Sequence, residues 1–371
     1  MTITFPHMGN TYITAKALLD DLGTDYIVPP FNNQKALELG TKYAPELACL
    51  PLKINIGNYI QAYEQGADTI MITGGRGPCR FGYYSEMHRE ILKDIGYEMD
   101  VIALELPDKG IQELLRRIRA IAGGLNVYKI LRAIKNTSKI SKLVDNLEKA
   151  AFKVRAYEIK KGDADRIYKE FQADVLKVRG SLEIMKLIAY TEKKLRAVPC
   201  DYKTRPLKIG VVGEIYTTID PYTNLNLYSK LGSMGVEVDR AVTISSWVID
   251  HMIRKVLHLP VDTEYIKAAK PYLGTMIGGH AQETIGNTVL YAQNGYDGVI
   301  QIYPLTCMPE IVAESILPAI EKDYDMPILT LIIDEMTGEA GYLTRLEAFV
   351  DLLRKRRERM TVEGKWLLHG D

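Results

Sequence analysis

Only four of the 371 residues are cysteine (Cys49, Cys79, Cys200 and Cys307), too few and too scattered for a disulfide scaffold. No stretch approaches the ~18 unbroken apolar residues that a spanning helix needs. Charge of one sign is lacking as well: 47 basic and 47 acidic side chains leave a formal charge of zero. That balance argues against a broad electrostatic footprint for nucleic acid or an anionic membrane. No G-x-x-x-x-G-K-[ST] occurs, and GVVGE at 210–214, although it follows an apolar run, is not G-x-G-x-x-G. Nothing therefore supports a bound nucleotide. The opening MTITFPHMGNTY has neither the basic head nor the apolar stretch of a secretory signal, so a cytoplasmic location is expected.

What is present is the ordinary balance of a globular chain, 47% apolar and 25% charged, at a length that suggests two domains with an extra subdomain. Residues 25–29, 68–73 and 99–105 are short, rich in β-branched side chains and bounded by Gly, Pro or Asp, and they read as buried strands. Residues 56–65 and 83–95 have helical spacing between them, with Tyr84, Met87, Ile91, Leu92 and Ile95 on one face. Such alternation implies a parallel sheet flanked by helices. The texture changes over 108–198, where proline is absent and Lys, Arg and Glu crowd the sequence. Leu143, Leu147, Ala151 and Val154 mark an apolar helical stripe there, and its charged side reads as a solvated face or a docking surface. Alternation resumes at Pro206, with strands expected at 208–212, 236–242, 298–303 and 328–333. Helices are expected at 221–234, 244–257, 281–294, 309–322 and 342–358. The expected architecture is α/β: two doubly wound, Rossmann-like domains with parallel sheets (1–107 and 206–371), joined by a mostly helical segment over 108–205.

In open parallel sheets, ligands collect beyond the carboxyl ends of the strands. Strand 68–73 runs into Gly74, Gly75, Arg76, Gly77, Pro78 and Cys79; strand 298–303 runs into Pro304, Thr306 and Cys307; Cys49 stands before another expected helix. A thiol at a helix start faces unpaired N–H groups and the positive end of the dipole, which favour the thiolate that soft metals and iron–sulfur clusters require. Glycines around Cys79 allow backbone amides to approach an inorganic core, and prolines 51, 78, 304 and 309 stiffen the loops. Three thiolates would hold three irons of a cubane and leave the fourth open. The same cysteines also fit three small buried core thiols, since separations of 30 and 228 residues match no local cluster motif. Cys200, at the hinge before the last domain, reads as a structural or incidental thiol, with a fourth cluster ligand as the alternative. His280, Gln282 and Glu283 follow Gly278 and Gly279 and either line the crevice or cap a helix. Asp334, Glu335 and Thr337 face the same choice. The run Arg354–Arg357 complements the dipole of the last helix, and His88 reads as a packed or surface side chain.

The segments GGRGPCRFGYYSEMHREIL, GGHAQETIGNTVLYAQNGYDGVIQIYPLTCMPEIVAESILP and IIDEMTGEAGYLTRLEAFVDLL resemble the 2-hydroxyacyl-CoA dehydratase superfamily. That superfamily includes benzoyl-CoA reductase subunits and double-cubane cluster proteins. The nearest resemblance is to the branch labelled acyl-CoA dehydratase activase-related, or CoA protein activase. It runs through both α/β domains and is most specific from Gly278 to Pro309. It implies a [4Fe-4S] cluster held between the domains by Cys49, Cys79 and Cys307, in loops that contain Gly75, Gly77 and Thr306. It further implies an ATP-dependent iron–sulfur activase as electron donor, and pairing with a related dehydratase-like subunit or a second copy. Family dehydratases reduce a thioester carbonyl to a ketyl radical and expel the hydroxyl group.

Too few cysteines are present for a double cubane, no acyl-CoA signature is visible, and the phosphate-binding motifs of the activase itself are missing. The expectation is an oxygen-sensitive iron–sulfur protein that accepts low-potential electrons for a difficult reduction, with Arg80, Gln282 and Glu283 as pocket residues. Two rivals are a radical 2-hydroxyacyl-CoA dehydratase subunit binding an acyl-CoA, and a non-catalytic relay or scaffold subunit docking through 108–198.

Overall fold

The computed structural model describes residues 1–73, 79–104, 111–124, 126–247 and 263–367. Among these residues the β-branched runs form seven strands in two sheets, each parallel throughout. The first sheet holds β1 (Ile3–Thr4), β2 (Thr69–Ile72) and β3 (Asp100–Ala103) in that order. The second holds β4 (Leu207–Gly213), β5 (Val236–Arg240), β6 (Gly298–Pro304) and β7 (Ile328–Ile333) in the order β5-β4-β6-β7. In that order the chain leaves β4 toward one edge and returns past it to the other. The reversal falls between β4 and β6, a switch point whose carboxyl end opens a crevice. β4 and β6 are buried along almost their whole length, as strands covered on both faces must be.

Two expectations are corrected here. The segment 25–29 contributes only an isolated bridge, Tyr26 to Ile3, because Pro29 and Pro30 have no N–H to extend the pairing. The edge strand is instead β1, whose two residues are too short to leave a periodic signal. The helix expected over 221–234 begins only at Leu227 (Leu227–Ser233): a turn in which Leu225 and Asn226 have φ of 51° and 57° separates it from a short helix, Ile215–Ile219, that lies before the expected span. A right-handed helix cannot run through that pair. The Asp220 carboxylate holds the turn by accepting from the backbone N–H groups of Tyr222 and Thr223. Of the helix expected at 244–257, Ile244–Trp247 is observed and the remainder lies outside the described residues.

The region between the sheets is helical, as its composition implies: Ile111–Ala122, Val127–Tyr157, Asp163–Val175 and Ser181–Arg196. Leu147, Ala151 and Val154 are buried with Ile140, Val144, Phe171, Ile184 and Ile188 in one core that also takes Ile3, Phe5, Tyr12 and Ile13 from the first sheet and its helix. The long helix also reaches the second sheet. Phe152 stacks on Tyr228 at 4.4 Å, and buried Glu148 pairs with buried Arg240. No described helix is long and apolar enough to cross a membrane.

The helix Leu50–Tyr63 is buried over nearly its whole length. It gives Leu50 and Ile54 to the core of the second sheet, and Leu52, Ile56, Tyr59 and Ile60 to a core with β2. It crosses the helix Gln34–Tyr43 so closely that a Cβ on Gly57 would lie 1.9 Å from the Ala36 carbonyl oxygen. Its amino end, carrying Cys49, is thereby fixed where the two sheets meet. Lys53, itself buried, crosses to Glu335 beyond β7 at 2.6 Å, and the Tyr216 hydroxyl meets Asn32 and Asn55 from the first unit.

Candidate functional site

Three cysteines occupy the same local position, the residue immediately before a helix. Cys49 precedes Leu50–Tyr63, Cys79 precedes the 3₁₀ turn Arg80–Tyr83, and Cys307 precedes Met308–Tyr324. Pro51 and Pro309 lie in the first turns of the two α-helices, where a missing N–H costs no intrahelical bond. Cys79 follows β2, and Cys307 follows β6 at the switch point. All three are half-buried free thiols. Gly75 and Gly77 lie outside the described residues.

Arg80 ties the three loops together. Its Nη1 donates to the carbonyl of Leu47, two residues before Cys49, at 2.8 Å, and its Nη2 to the carbonyl of Thr306, next to Cys307, at 2.6 Å. The Thr306 hydroxyl donates to the same Leu47 carbonyl at 3.2 Å. Thr306 has φ of 69°, an uncommon backbone for a β-branched residue and a mark of local strain. One guanidinium fork thus spans segments separated by 226 residues in sequence.

The thiols also share one electrostatic environment. Burial pushes all three above the ordinary thiol range, and the carboxylate of Glu214, the residue following β4, pushes each further. Cys79 adds to the effect on Cys307, while Arg80 opposes it at Cys49 and Cys79. The expected thiolate stabilisation by helix ends is therefore outweighed here by loss of water: in the metal-free protein these are protonated thiols. Metal binding would displace those protons, since only the thiolate ligates. Glu214 accepts from the N–H groups of Tyr216 and Thr217, both at 2.9 Å, and loss of water still raises its pKa. Below Cys307, fully buried Glu310 accepts from Gln301 Nε2 and the Thr284 hydroxyl at 3.0 Å each, and burial pushes it up to about 7.

The other residues singled out in the sequence fall elsewhere. Gln282 donates to the Leu273 carbonyl at 3.2 Å. Glu283 accepts from the Tyr265 hydroxyl and lines a cavity of about 180 Å³ with Val242, Ser246 and Trp247. That cavity adjoins the thiol loops through Trp247, whose ring meets Phe81 edge-on at 6.3 Å. No side chain caps the helix that begins at Ala281. Asp334 accepts from the Met336 N–H and the Thr337 hydroxyl within its own turn, whereas Glu335 pairs with Lys53. Cys200 bridges to Glu158 by its backbone, and its thiol is bonded by Tyr202. His88 is fully buried against Tyr59 and Tyr84, and desolvation lowers its pKa to about 3. Arg354, Arg356 and Arg357 are bonded to Asp351, Asp325 and Asp297. A larger groove of about 800 Å³ includes Leu207 and Val236, at the amino ends of β4 and β5, the edge away from the switch point.

Tyr84, Glu214 and Glu310 belong to this neighbourhood although sequence reasoning did not select them. Tyr84 counted only as part of an apolar stripe. Glu214 closes GVVGE, and the strand-end rule that points to Cys307 applies equally to it.

Among the described residues no three His, Cys, Asp or Glu side chains form a group able to hold a single metal ion. A cubane spreads its thiolates over separate irons, so it takes donors set further apart than one ion does. The donor set, three thiols in loops tied by one arginine, is of the soft chemistry that such a cluster takes. In comparison with known proteins, the chain matches no family model and no curated protein.

Proposed function

We propose that Cys49, Cys79 and Cys307 hold a [4Fe-4S] cluster, and that the protein accepts low-potential electrons from an ATP-dependent iron–sulfur activase for a difficult reduction. The observation that carries this reading is that three loops, each with a cysteine just before a helix, are fastened to one another by Arg80. When bound, the cluster supplies one-electron storage and, with three thiolates, an iron open to an oxygen ligand. The chain's own residues do the rest. Arg80 and Thr306 hold the loops in register, and the Arg80 guanidinium favours the thiolate form of Cys49 and Cys79. The Lys53–Glu335 pair closes the floor between the two units. Four unpaired cysteines in a chain of neutral balance support a reducing, cytoplasmic setting.

The test is anaerobic purification with assay of iron and acid-labile sulfide and the reduced-state EPR spectrum. About four of each per chain is expected. Replacement of Cys49, Cys79 or Cys307 by Ala should remove the cluster, and replacement of Cys200 should not. Iron near zero after anaerobic reconstitution, or full retention in Cys79→Ala and Cys307→Ala, sinks the reading.

A further inference from the structure

Behind Cys49 lies a wall of buried aromatic rings. The Tyr84 hydroxyl and Cys49 Sγ are in hydrogen-bond contact, with either atom able to donate. The Tyr84 ring meets Phe81 edge-on at 5.2 Å and His88 at 5.4 Å, and His88 meets Tyr59 at 5.0 Å. Tyr84 is 4% exposed, and His88 and Tyr59 are fully buried. Among the described residues Cys49 is the sole hydrogen-bond partner of the Tyr84 hydroxyl. A buried phenol ordinarily takes a strong oxygen acceptor, whereas this one is held against a sulfur by packing on both sides of its ring.

A neutral thiol is a weak acceptor, so the contact contributes little to the metal-free fold. A sulfur carrying negative charge is different, because a hydrogen bond to an ionised acceptor is about twice as strong as a neutral one. The contact therefore gains its full strength only when Cys49 is a thiolate, as it is on a metal. Hydrogen bonds to ligand sulfurs orient the ligand and ease acceptance of an electron, because they stabilise the more negative state.

We propose that Tyr84 is a positioning residue for Cys49: its O–H donates to the ligand sulfur, fixes the orientation of that side chain and makes electron acceptance at the site more favourable. The redox part rests on the cluster reading above; the bond to sulfur does not. The test uses the full chain as Tyr84→Phe, with Tyr59→Phe as a control in the same aromatic wall, whose hydroxyl bonds to no cysteine. In metal-free protein, the infrared S–H stretching band of Cys49, identified by its loss in Cys49→Ala, should shift in Tyr84→Phe and stay in place in Tyr59→Phe. An unmoved band in Tyr84→Phe overturns the bond. In cluster-loaded protein, a redox titration followed by EPR should give a more negative midpoint for Tyr84→Phe at equal iron content. Replacing Tyr84 by 3-fluorotyrosine, a stronger donor of nearly the same shape, should move the midpoint the other way, and it carries the test if Tyr84→Phe fails to fold. Equal midpoints in all three proteins refute the proposal. A wild-type chain that takes up no iron refutes the cluster reading instead, and the infrared band still decides the role of Tyr84.

Discussion

The two sheets are built to different standards. Strands of the second run to five, six and seven residues, and its core is completed largely by helices of the same half. The first has strands of two, four and four residues, and β3 begins exposed. Such a sheet cannot bury enough apolar surface by itself, and the core beside β1 is filled from the helical region, by Val144, Leu147, Phe171 and Ile188. Two of the three site cysteines come from this thinner unit. The helical region is therefore a structural wall for the half that carries most of the site, which its charged composition alone does not reveal.

The largest expected effect tests that dependence. Phe171→Ala, in the helical region, should cost about 3–5 kcal/mol, read from chemical denaturation. Amide exchange should accelerate in β1–β3 more than in β4–β7; equal acceleration in both sheets would break the comparison. Next, Gly213→Val strikes the stronger sheet at its one backbone pinch. Gly213 has φ of 132°, and a Cβ there would lie 1.9 Å from the Ile302 carbonyl oxygen. A loss of roughly 1–3 kcal/mol or more is expected from overpacking and strain, and a thermal melt unchanged by this substitution would contradict the geometry.

Acid should distinguish the units through His88, buried in the first. Its folded pKa of about 3 lies below the unfolded value of 6.5, so the unfolded chain binds the extra proton between them. The stability this provides is complete above pH 6.5 and is lost as pH falls toward 3. His88→Phe should flatten that part of the stability–pH curve in the metal-free protein, and an unchanged slope would exclude His88 as its source. A smaller effect is expected from Arg80→Ala. The side chain is exposed, so the melting temperature should hardly move, while iron retention falls because the three loops are no longer tied. Arg80→Lys should not restore retention, since a single ammonium cannot replace the fork. The smallest effect is expected for Cys200→Ala, with iron content unchanged and stability altered by less than about 1 kcal/mol.

Strands with continuous β-branched burial were legible from local composition: 68–73, 99–105 and all four of the second sheet are observed within a residue or two. β1 was not, because two residues have no period, and the late start of the helix at Leu227 was not, because the turn before it depends on the Asp220 carboxylate folding back on its own backbone. The placement of Cys79 and Cys307 at helix starts was also legible, since a strand followed by a proline-bearing turn is a local pattern, whereas the strand-to-helix connection expected at Cys49 is a helix-to-helix one, between Gln34–Tyr43 and Leu50–Tyr63. Arg80 was legible only as a neighbour of Cys79. Its bonds to Leu47 and Thr306 join residues that no local rule connects.

By itself, the sequence determined a parallel α/β protein with a helical interval and three thiols at turn positions, because periodicity, proline placement and strand burial are properties of short windows. Only the tertiary structure decided that those turns meet, that Glu214 faces all three thiols, that burial overrides the helix ends in setting their protonation, and that Tyr84 spends its hydroxyl on Cys49. These depend on contacts across 30 to more than 200 residues, and such contacts are chosen by the packing of whole helices and sheets rather than by the residues that make them.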